Sequence, residues 1–365
     1  AFGVALSYRP MLRQLETVLY GEVGRVFSHD AEGHEEHVDR TMNVIGSGFM
    51  HGKFFDDMMS VHVHRTFDEL PLDQQPSIVA DTGCGDGTLL LRLYRYVLER
   101  TRRGRQLAKR PLLMVGVDFN EASLVATAKT LREAGVPFET MFGDIGDPEP
   151  IHEGLCSRFG ARGKDDILHV RSFLDHDRPY VAPTDGAISA GAIEEESDAA
   201  YVRPDGALLT RSLMYRSCVE HMRRWAGVAG RHGLLLLEVH SLKVADTARY
   251  MAEATSLHFD ALQSWSGQML VPAPHWQLAL AHAGLLPDAN LLCYPKDSPY
   301  TRITLQRLVP APCAGIRLAT RADLPQLLEL EGQWEADFLR SPEAALVERL
   351  ELHPSGQYVG FGSDG

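Results

Sequence analysis

From Ser77 onward, short apolar runs alternate with amphipathic stretches. SIVAD, LLMVGVDF, FETMFGDI, DILHVRSF and LLLLEVHSL are rich in Val, Ile and Leu. Between the first two, Leu89, Leu90, Leu93 and Val97 recur at helical spacing; between the next two, Leu124, Ala128 and Leu131 do so. A strand that is apolar on both sides must be buried on both sides. The alternation therefore predicts an α/β fold, a parallel sheet with helices on both faces. A helix near Leu208–Val228 leads into the fifth strand, and HWQLALAHAGL reads as a helix. NLLCYP and TRITLQRLV read as last strands, an antiparallel hairpin closing the sheet.

The first 70 residues are patterned differently. RPMLRQLETVLYGEV places Leu12, Leu15, Val18 and Leu19 on one helix face, with Arg13 and Glu16 off it. The next segment, HVDRTMNVIGSGFMHGKFFDDMMSVHVHRTFDEL, sets Gly46, Gly48 and Gly52 among aromatic and Met residues. Glycines permit tight turns and close backbone approach, as a mobile cover over a site requires, so residues 1–70 are expected to form a helical lid or cap. The α/β core is expected over 71–308, with an acid-rich solvated insertion at Ala182–Gly206 that carries the run EEESD. VPAPCAG, at 309–315, reads as a linker. Residues 316–365 read as a strand, a turn ending in Asp323 as helix cap, an amphipathic helix, and a further strand in QYVGFGSDG. The chain starts without Met and stops in mid-pattern, which suggests a piece of something longer.

Charge narrows the possible partners. With 36 basic and 49 acidic side chains the net charge is −13, which disfavours partners bound through phosphate neutralisation: DNA, RNA or an anionic membrane surface. No run approaches the roughly 20 apolar residues of a membrane span, and AFGVALSYRP lacks the features of a secretory signal. Cys84, Cys156, Cys218, Cys293 and Cys313 contain no CxxC pair, which fits a reducing cytoplasm and offers no structural zinc site.

The chemistry begins at Asp81-Thr-Gly83-Cys-Gly85-Asp-Gly87, where the first strand turns into a helix. Alternate glycines let the backbone bend sharply and approach a ligand that a Cβ would exclude. Asp118 closes the second strand, placed to accept from ribose hydroxyls, and Asp144 closes the third, where an adenine would lie. There is no GxxxxGK[ST], and the spacing GxGxG after an acid is not the GxGxxG of a pyrophosphate binder. S-adenosylmethionine carries no pyrophosphate, and its methionyl amine can sit near Asp81. Over residues 40–308 the chain resembles a class I S-adenosylmethionine-dependent methyltransferase with a Rossmann-like sheet. The resemblance implies cofactor contacts at Asp81, Gly83, Gly85, Asp118 and Asp144, with Ile145 packing on the adenine.

Of 16 histidines, most, such as His29, His34, His37, His152 and His353, lie in polar stretches and read as solvated surface groups. His176 lies just past the fourth strand and His240 at the end of the fifth, on strands expected to be neighbours about 4.8 Å apart with their ends facing the cofactor's sulfonium. Two imidazoles there suit either metal ligation or an acid/base pair.

The strings HVDRTMNVIGSGFMHGKFF, HVRSFLDHDRPY, LEVHSL and SWSGQMLV together resemble metal-dependent C-methyltransferases of polyketide synthase loading modules, as in the apratoxin and gephyronic acid pathways. These act on malonyl units held on an acyl carrier protein and are followed by a GNAT-like acetyltransferase domain, whose opening the tail resembles. The resemblance implies a mononuclear transition-metal centre (Fe, or Mn or Co) with two His and one amide ligand, mapped onto His176, His240 and Gln268. Gln277 is an alternative amide, and Asp175 in its place would give a 2-His-1-carboxylate triad. A malonyl thioester offers two oxygens to chelate one cation, stabilising the enolate formed when C2 loses its proton. The enolate carbon then attacks the sulfonium methyl in line. Arg171 and Arg178 flank the site and are candidates to pair with the malonyl carboxylate. The base is open among Asp175, a metal-bound hydroxide and a Tyr. The competing readings are a metal-free methyltransferase with His176 or His240 as general base, and a cofactor-binding scaffold without activity.

Overall fold

The structure is a computed structural model that describes residues 6–28, 37–185, 188, 197–203, 205–253, 257, 266–288, 291–311, 315–332, 341–352 and 358–361. Four parallel strands open the core: β1 (Ile78–Thr82), β2 (Leu113–Asp118), β3 (Phe138–Phe142) and β4 (Ile167–Ser172). A two-residue hairpin, β5 (Tyr201–Val202) with β6 (Leu208–Leu209), stands apart from the sheet. The fifth parallel strand, β7 (Leu234–Val239), pairs with β4. Beyond it β10 (Ile303–Pro310) runs antiparallel and also pairs with β8 (Leu285–Pro287) and β9 (Leu292–Tyr294). The order is β3-β2-β1-β4-β7-β10-β8, so β4 and β7 are neighbours and the expected β9–β10 hairpin closes the sheet. The three-residue β8, after the left-handed Gly284, has no strand-like pattern in the sequence.

Eleven helices, named in chain order, occur among the described residues: α1 (Arg9–Leu12), α2 (Leu15–Tyr20), α3 (Arg40–Asp57), α4 (Thr88–Arg100), α5 (Glu121–Glu133), α6 (Pro148–Ser157), α7 (Arg211–Val228), α8 (Val244–Tyr250), α9 (Ala273–His282), α10 (Leu324–Gly332) and α11 (Glu343–Leu352). Strand side chains alternate between two cores. Val79, Met114, Leu168, Leu235 and Leu305 pack with Leu90, Leu93 and Val97 of α4 and Leu124 and Leu131 of α5. Ala80, Val115, Ile167, Leu234 and Leu308 pack with Ile151 and Leu155 of α6, Met214 and Trp225 of α7 and Trp276 of α9. Each such buried apolar side chain contributes about 1.5–3 kcal/mol, which is why the strand-and-helix pattern fixes the layers.

Local chemistry starts the helices. Asp39 accepts from the Met42 amide to cap α3, Asn120 from Ala122 to cap α5, and Thr210 from Leu213 to cap α7. Helix α7 begins at Arg211 and not at Leu208, because Leu208–Leu209 is drawn into the hairpin with Tyr201–Val202.

The N-terminal region departs from its pattern. Residues 46, 48 and 52 lie inside α3, which continues as wider π-helical turns over Met58–Val63 and Arg65–Glu69 instead of bending at its glycines. A mid-helix glycine costs about 1 kcal/mol; burial of Phe54, Phe55, Met58 and Met59 against the sheet offsets it, and Arg92 Nη1 donates to the Gly52 carbonyl at 2.9 Å. The apolar face read on α1 and α2 is not a core face: Leu12, Leu15 and Leu19 are 39%, 39% and 47% exposed, while Tyr8, Met11, Val26 and Val38 form the small cluster there.

In the insertion, residues 194–196 of the acidic run lie outside the described residues. Ile188, Ser197 and Tyr201 are buried against the core, and the Tyr201 hydroxyl donates to the Leu270 carbonyl at 2.6 Å. In the tail, β11 (Gly315–Leu318) pairs antiparallel with β12 (Tyr358–Phe361). The cap is Thr320, not Asp323: Thr320 caps the 3-10 turn preceding α10, and Asp323 reciprocates by accepting from the Thr320 amide. Among the described residues no helix is long and apolar enough to cross a membrane.

Candidate active site

At the C-terminal ends of β1, β2 and β4 a cleft encloses about 960 Å³ of free space, part of it open to solvent. The Gly-rich turn forms its floor. Gly83, Gly85 and Gly87 have φ of 78°, 55° and 78°, a region side chains rarely adopt. A Cβ on Gly83 would come within 2.7 Å of Leu174 Cδ2. The turn is tied to β2 by Gly83 N–H donating to the Val117 carbonyl at 2.8 Å and Gly85 N–H to Asp118 Oδ2 at 3.3 Å.

Asp81, Gly83, Gly85, Asp118 and Ile145 all line this cleft. Asp81 is 2% exposed, and its Oδ1 is buried without a hydrogen-bond partner. Burial, then the carboxylates of Asp118 and Asp86, push its carboxyl well above the usual range. A buried carboxyl oxygen without a donor fits the ammonium of a methionyl cofactor. Asp118 is also raised by burial, although it accepts from the amides of Asn120 and Gly85. Asp144 is placed differently. Its exposed carboxylate accepts from Gly146 N–H at 2.7 Å and is not part of the cleft lining, so Gly143 and Ile145 represent the third strand's end.

His176 and His240 line one tight crevice, too narrow to admit a water molecule, together with Arg178, Glu238, Val239, Met269, Val271 and Trp276. His176 Nδ1–H donates to Glu238 Oε1 at 2.7 Å. Burial opposes the charged ring, but the Glu238, Asp177 and Asp175 carboxylates outweigh it and raise the His176 pKa. His240 is fully buried: Nδ1–H donates to the Val271 carbonyl at 3.1 Å, and the Thr304 hydroxyl donates to Nε2 at 2.7 Å. Burial lowers its pKa to about 3, so it is neutral. Gln268 is buried beside Met269, whose amide donates to the His176 carbonyl, but its own side-chain amide donates to the Tyr8 hydroxyl at 2.8 Å.

Whether these residues suit a metal turns on their unused atoms. Both histidines have Nδ1 held by an acceptor and Gln268 has its nitrogen held by Tyr8, which leaves His176 Nε2 and an amide oxygen, with His240 Nε2 as a third donor atom only if its present bond is given up. Such anchoring of the non-ligating atom is the usual support of a metal ligand, and the chemistry of the donor set fits. His240 Nε2 is engaged by Thr304, whose hydroxyl would have to turn away, and Gln268 does not line the crevice. Among the described residues no three His, Cys, Asp or Glu side chains converge as a metal site.

Asp175 is spent elsewhere. It is fully buried, accepts from Arg171 Nε at 3.1 Å and Nη2 at 2.9 Å, and from His221 Nε2–H at 3.0 Å. Burial would raise it, but Arg171 and His221 hold it at about 2. Arg171 also stacks 4.2 Å from the Trp225 ring centre. Arg171 and Asp175 therefore form a buried pair that braces the turn carrying His176, and neither lines the crevice or the cleft. Arg178 does line the crevice and donates to the Asp175 carbonyl at 2.8 Å. Gln277, on α9, is outside the crevice lining. His37, read as a surface group, is buried against Phe27 at 4.8 Å between ring centres; His29, His34 and His353 lie outside the described residues.

Sequence reasoning missed several residues. Phe119 and Asn120 line the cleft beside Asp118, and Phe173 lines it with a positive φ of 55°. Glu238 could have been found as the lone acid in an apolar strand. Arg40, the one cation among the described cleft residues, reaches across from α3 to Asp177 at 3.0 Å. The pair is about one-fifth exposed, so roughly 1 kcal/mol is a reasonable ceiling for it. Arg40→Gln is expected to speed S-adenosylmethionine release about fivefold in stopped-flow displacement, with the swap Arg40→Asp/Asp177→Arg recovering most of it. Equal release rates would remove the strap.

The sheet order and a glycine turn closing on a buried carboxyl with one unpartnered oxygen at the strand ends are those of a class I S-adenosylmethionine-dependent methyltransferase. Residues 35–306 match the model of the AprA MT2-like domain, and the chain belongs to that methyltransferase family. A search of curated proteins found no match. Similar solved structures include the citrinin polyketide synthase CMeT domain, at 15% identity over 74% of this chain and 52% of that one, TM-score 0.39. The CurJ carbon methyltransferase aligns at 13% identity over 85% and 67%, TM-score 0.40, and LepI in complex with SAM at 13% over 85% and 64%, TM-score 0.40. The chain thus spans about half the length of the citrinin synthase structure. At these identities the likeness does not extend to substrate or mechanism.

Proposed function

We propose that the chain is a C-methyltransferase of polyketide biosynthesis that methylates C2 of a malonyl or methylmalonyl unit, carried as a thioester on an acyl carrier protein. What carries this reading is the pair His176 and His240 on one crevice at the ends of adjacent β4 and β7, beside the cofactor cleft. Family membership supports methyl transfer.

In this reading Asp81 takes the cofactor's ammonium, Asp118 its ribose hydroxyls, and Ile145 and Phe119 flank the adenine. The turn after β4 and the end of β7 present His176 and His240 to the acceptor. A divalent transition metal held by His176, His240 and Gln268 would supply Lewis acidity to the two acceptor oxygens. The protein's own contribution is alignment: C2, once deprotonated, must meet the sulfonium methyl in line, and the buried walls formed by Met269, Val271 and Trp276 exclude water from it.

A metal-free reading has its own support. The His176–Glu238 pair has the form of an oriented general base, and His240 Nε2 is occupied by Thr304. Mass spectrometry of a malonyl-loaded carrier protein incubated with the chain, S-adenosylmethionine and Fe(II) tests both. A gain of one methyl that EDTA abolishes supports the metal reading, full activity in EDTA supports the base reading, and no gain under either condition overturns the acceptor.

A further inference from the structure

We propose that Arg178 is an acceptor-binding residue: it pairs with a carboxylate on the acceptor, so that the enzyme selects acyl units carrying one beside the reacting carbon. The proposal deepens the malonyl reading and rests on it for where the acceptor sits.

Arg178 closes the turn after β4, is 2% exposed and lines the crevice with His176. A guanidinium keeps its charge in a protein interior, so burying one is costly unless an anion or a full set of oxygens answers it. Three other buried arginines are answered. Arg171 pairs with Asp175 and Arg307 with Asp288, while Arg103 donates to the Arg110 and Pro111 carbonyls and to Gln75 Oε1. Arg178 is not. Its Nη1 donates to the Asp175 carbonyl at 2.8 Å, its Nη2 reaches the Met214 sulfur, a weak acceptor, at 3.6 Å, and its Nε is buried without a partner. Among the described residues no carboxylate forms an ion pair with it.

The nearby acids are occupied. Asp175 accepts from Arg171 and His221. Glu238 accepts from Val239 N–H and His176 Nδ1–H on one oxygen and from Asp175 N–H on the other. The counter-ion of Arg178 must therefore come from outside. Its unanswered edge, Nε with Nη2, is the edge that Arg171 turns to Asp175 and Arg162 to Asp166. Two coplanar oxygens match that fork, which makes a carboxylate the fitting anion. The crevice opens through methionine: Met214 on Nη2 and Met269 in the wall have unbranched side chains that repack readily. The cofactor's own carboxylate is the rival anion, but Arg178 does not line the cofactor cleft.

The test titrates the full chain, as purified and saturated with S-adenosylhomocysteine, with two unreactive pantetheine analogues that differ only in a terminal carboxylate or carboxamide. Wild type is expected to prefer the carboxylate at least about 30-fold, as loss of one partner of a buried charge pair implies. Arg178→Met is expected to keep less than about threefold preference, with S-adenosylmethionine affinity within about twofold of wild type, and Arg178→Lys, with the charge but not the fork, to fall between. A preference that persists in Arg178→Met, or is absent from wild type, overturns the proposal. So does a loss of cofactor affinity of about tenfold with the preference intact, which would give Arg178 to the cofactor's carboxylate. Should Arg178→Met fail to fold, the wild-type Arg178 Nε–H resonance, assigned by its loss in Arg178→Lys, decides. A shift with the carboxylate analogue and none with the carboxamide is expected; equal responses overturn the pairing. Failure of the malonyl reading has a different signature. A carboxylate preference that vanishes in Arg178→Met, in a chain that leaves malonyl-loaded carrier protein unmethylated, sinks the malonyl assignment and leaves Arg178 its anion.

Discussion

Asp81→Asn is expected to raise the Kd for S-adenosylmethionine at least about 100-fold while raising the melting temperature of the cofactor-free protein. Two opposing effects come from one carboxyl. In the free protein Asp81 sits buried with one oxygen unpartnered, and burial plus the neighbouring Asp118 and Asp86 carboxylates hold its pKa well above the ordinary 3.8. A carboxyl raised in the folded state binds more protons folded than unfolded, so it weakens the fold as pH rises above 3.8. Removing the charge relieves that cost. The bound ammonium inverts the balance, since losing one member of a buried ion pair costs about 3–5 kcal/mol, a hundredfold or more in affinity. Cofactor binding to wild type should release protons, and affinity should rise with pH, because the complex favours the ionised form. Calorimetry in buffers of different ionisation enthalpy measures both; a Kd within threefold of wild type for the variant would refute the role.

The cofactor half of the site is legible in the sequence because its determinants are local. Gly83, Gly85 and Gly87 each need a left-handed backbone, Asp81 and Asp118 each end a strand, and these features lie within about forty residues in chain order. The layers are legible for the same reason, as Leu89, Leu90, Leu93 and Val97 announce the buried side of α4 wherever the chain goes afterwards. Asp144 shows the limit of position alone: its place at a strand end is as expected, yet its carboxylate turns back to its own loop at Gly146.

The acceptor half depends on partners 60 or more residues apart. Glu238 meets His176 across 62 positions, and His240 meets Thr304 across 64. No spacing rule connects them. Asp175 looked like a free acid beside His176, but burial forces a charge to find a counter-charge, and Arg171 on the adjoining strand supplies it. Likewise α3 keeps its helix through three glycines because Phe54, Phe55, Met58 and Met59 have a sheet to pack on, an energy that local propensity does not contain.

Acid should unfold this protein well above the pH at which its carboxylates titrate. Burial lowers the pKa of His62, His221 and His232 to about 4, and of His169 and His240 to about 3. In the unfolded chain these rings take up protons near pH 6.5. A group depressed on folding leaves the native state with fewer protons, so stability is complete above pH 6.5 and declines as pH falls toward the folded values. Each ring can contribute up to about 1.4 kcal/mol per pH unit in that window. Asp166 and Asp175, held at about 2 by Arg162 and by Arg171 with His221, act only below pH 4. Asp81, Asp118 and His176, whose values are raised, work in the opposite direction and reduce the slope without cancelling five imidazoles. Against a total stability of about 5–15 kcal/mol, a melting temperature at least about 10 °C lower at pH 5.5 than at pH 7 is expected. His62 and His232 are both buried and each feels the charge of Arg307, so His62→Phe should remove close to one proton from the slope. Scanning calorimetry across this range decides it: a flat melting temperature between pH 7 and 5 would mean that these imidazoles already carry protons in the folded protein.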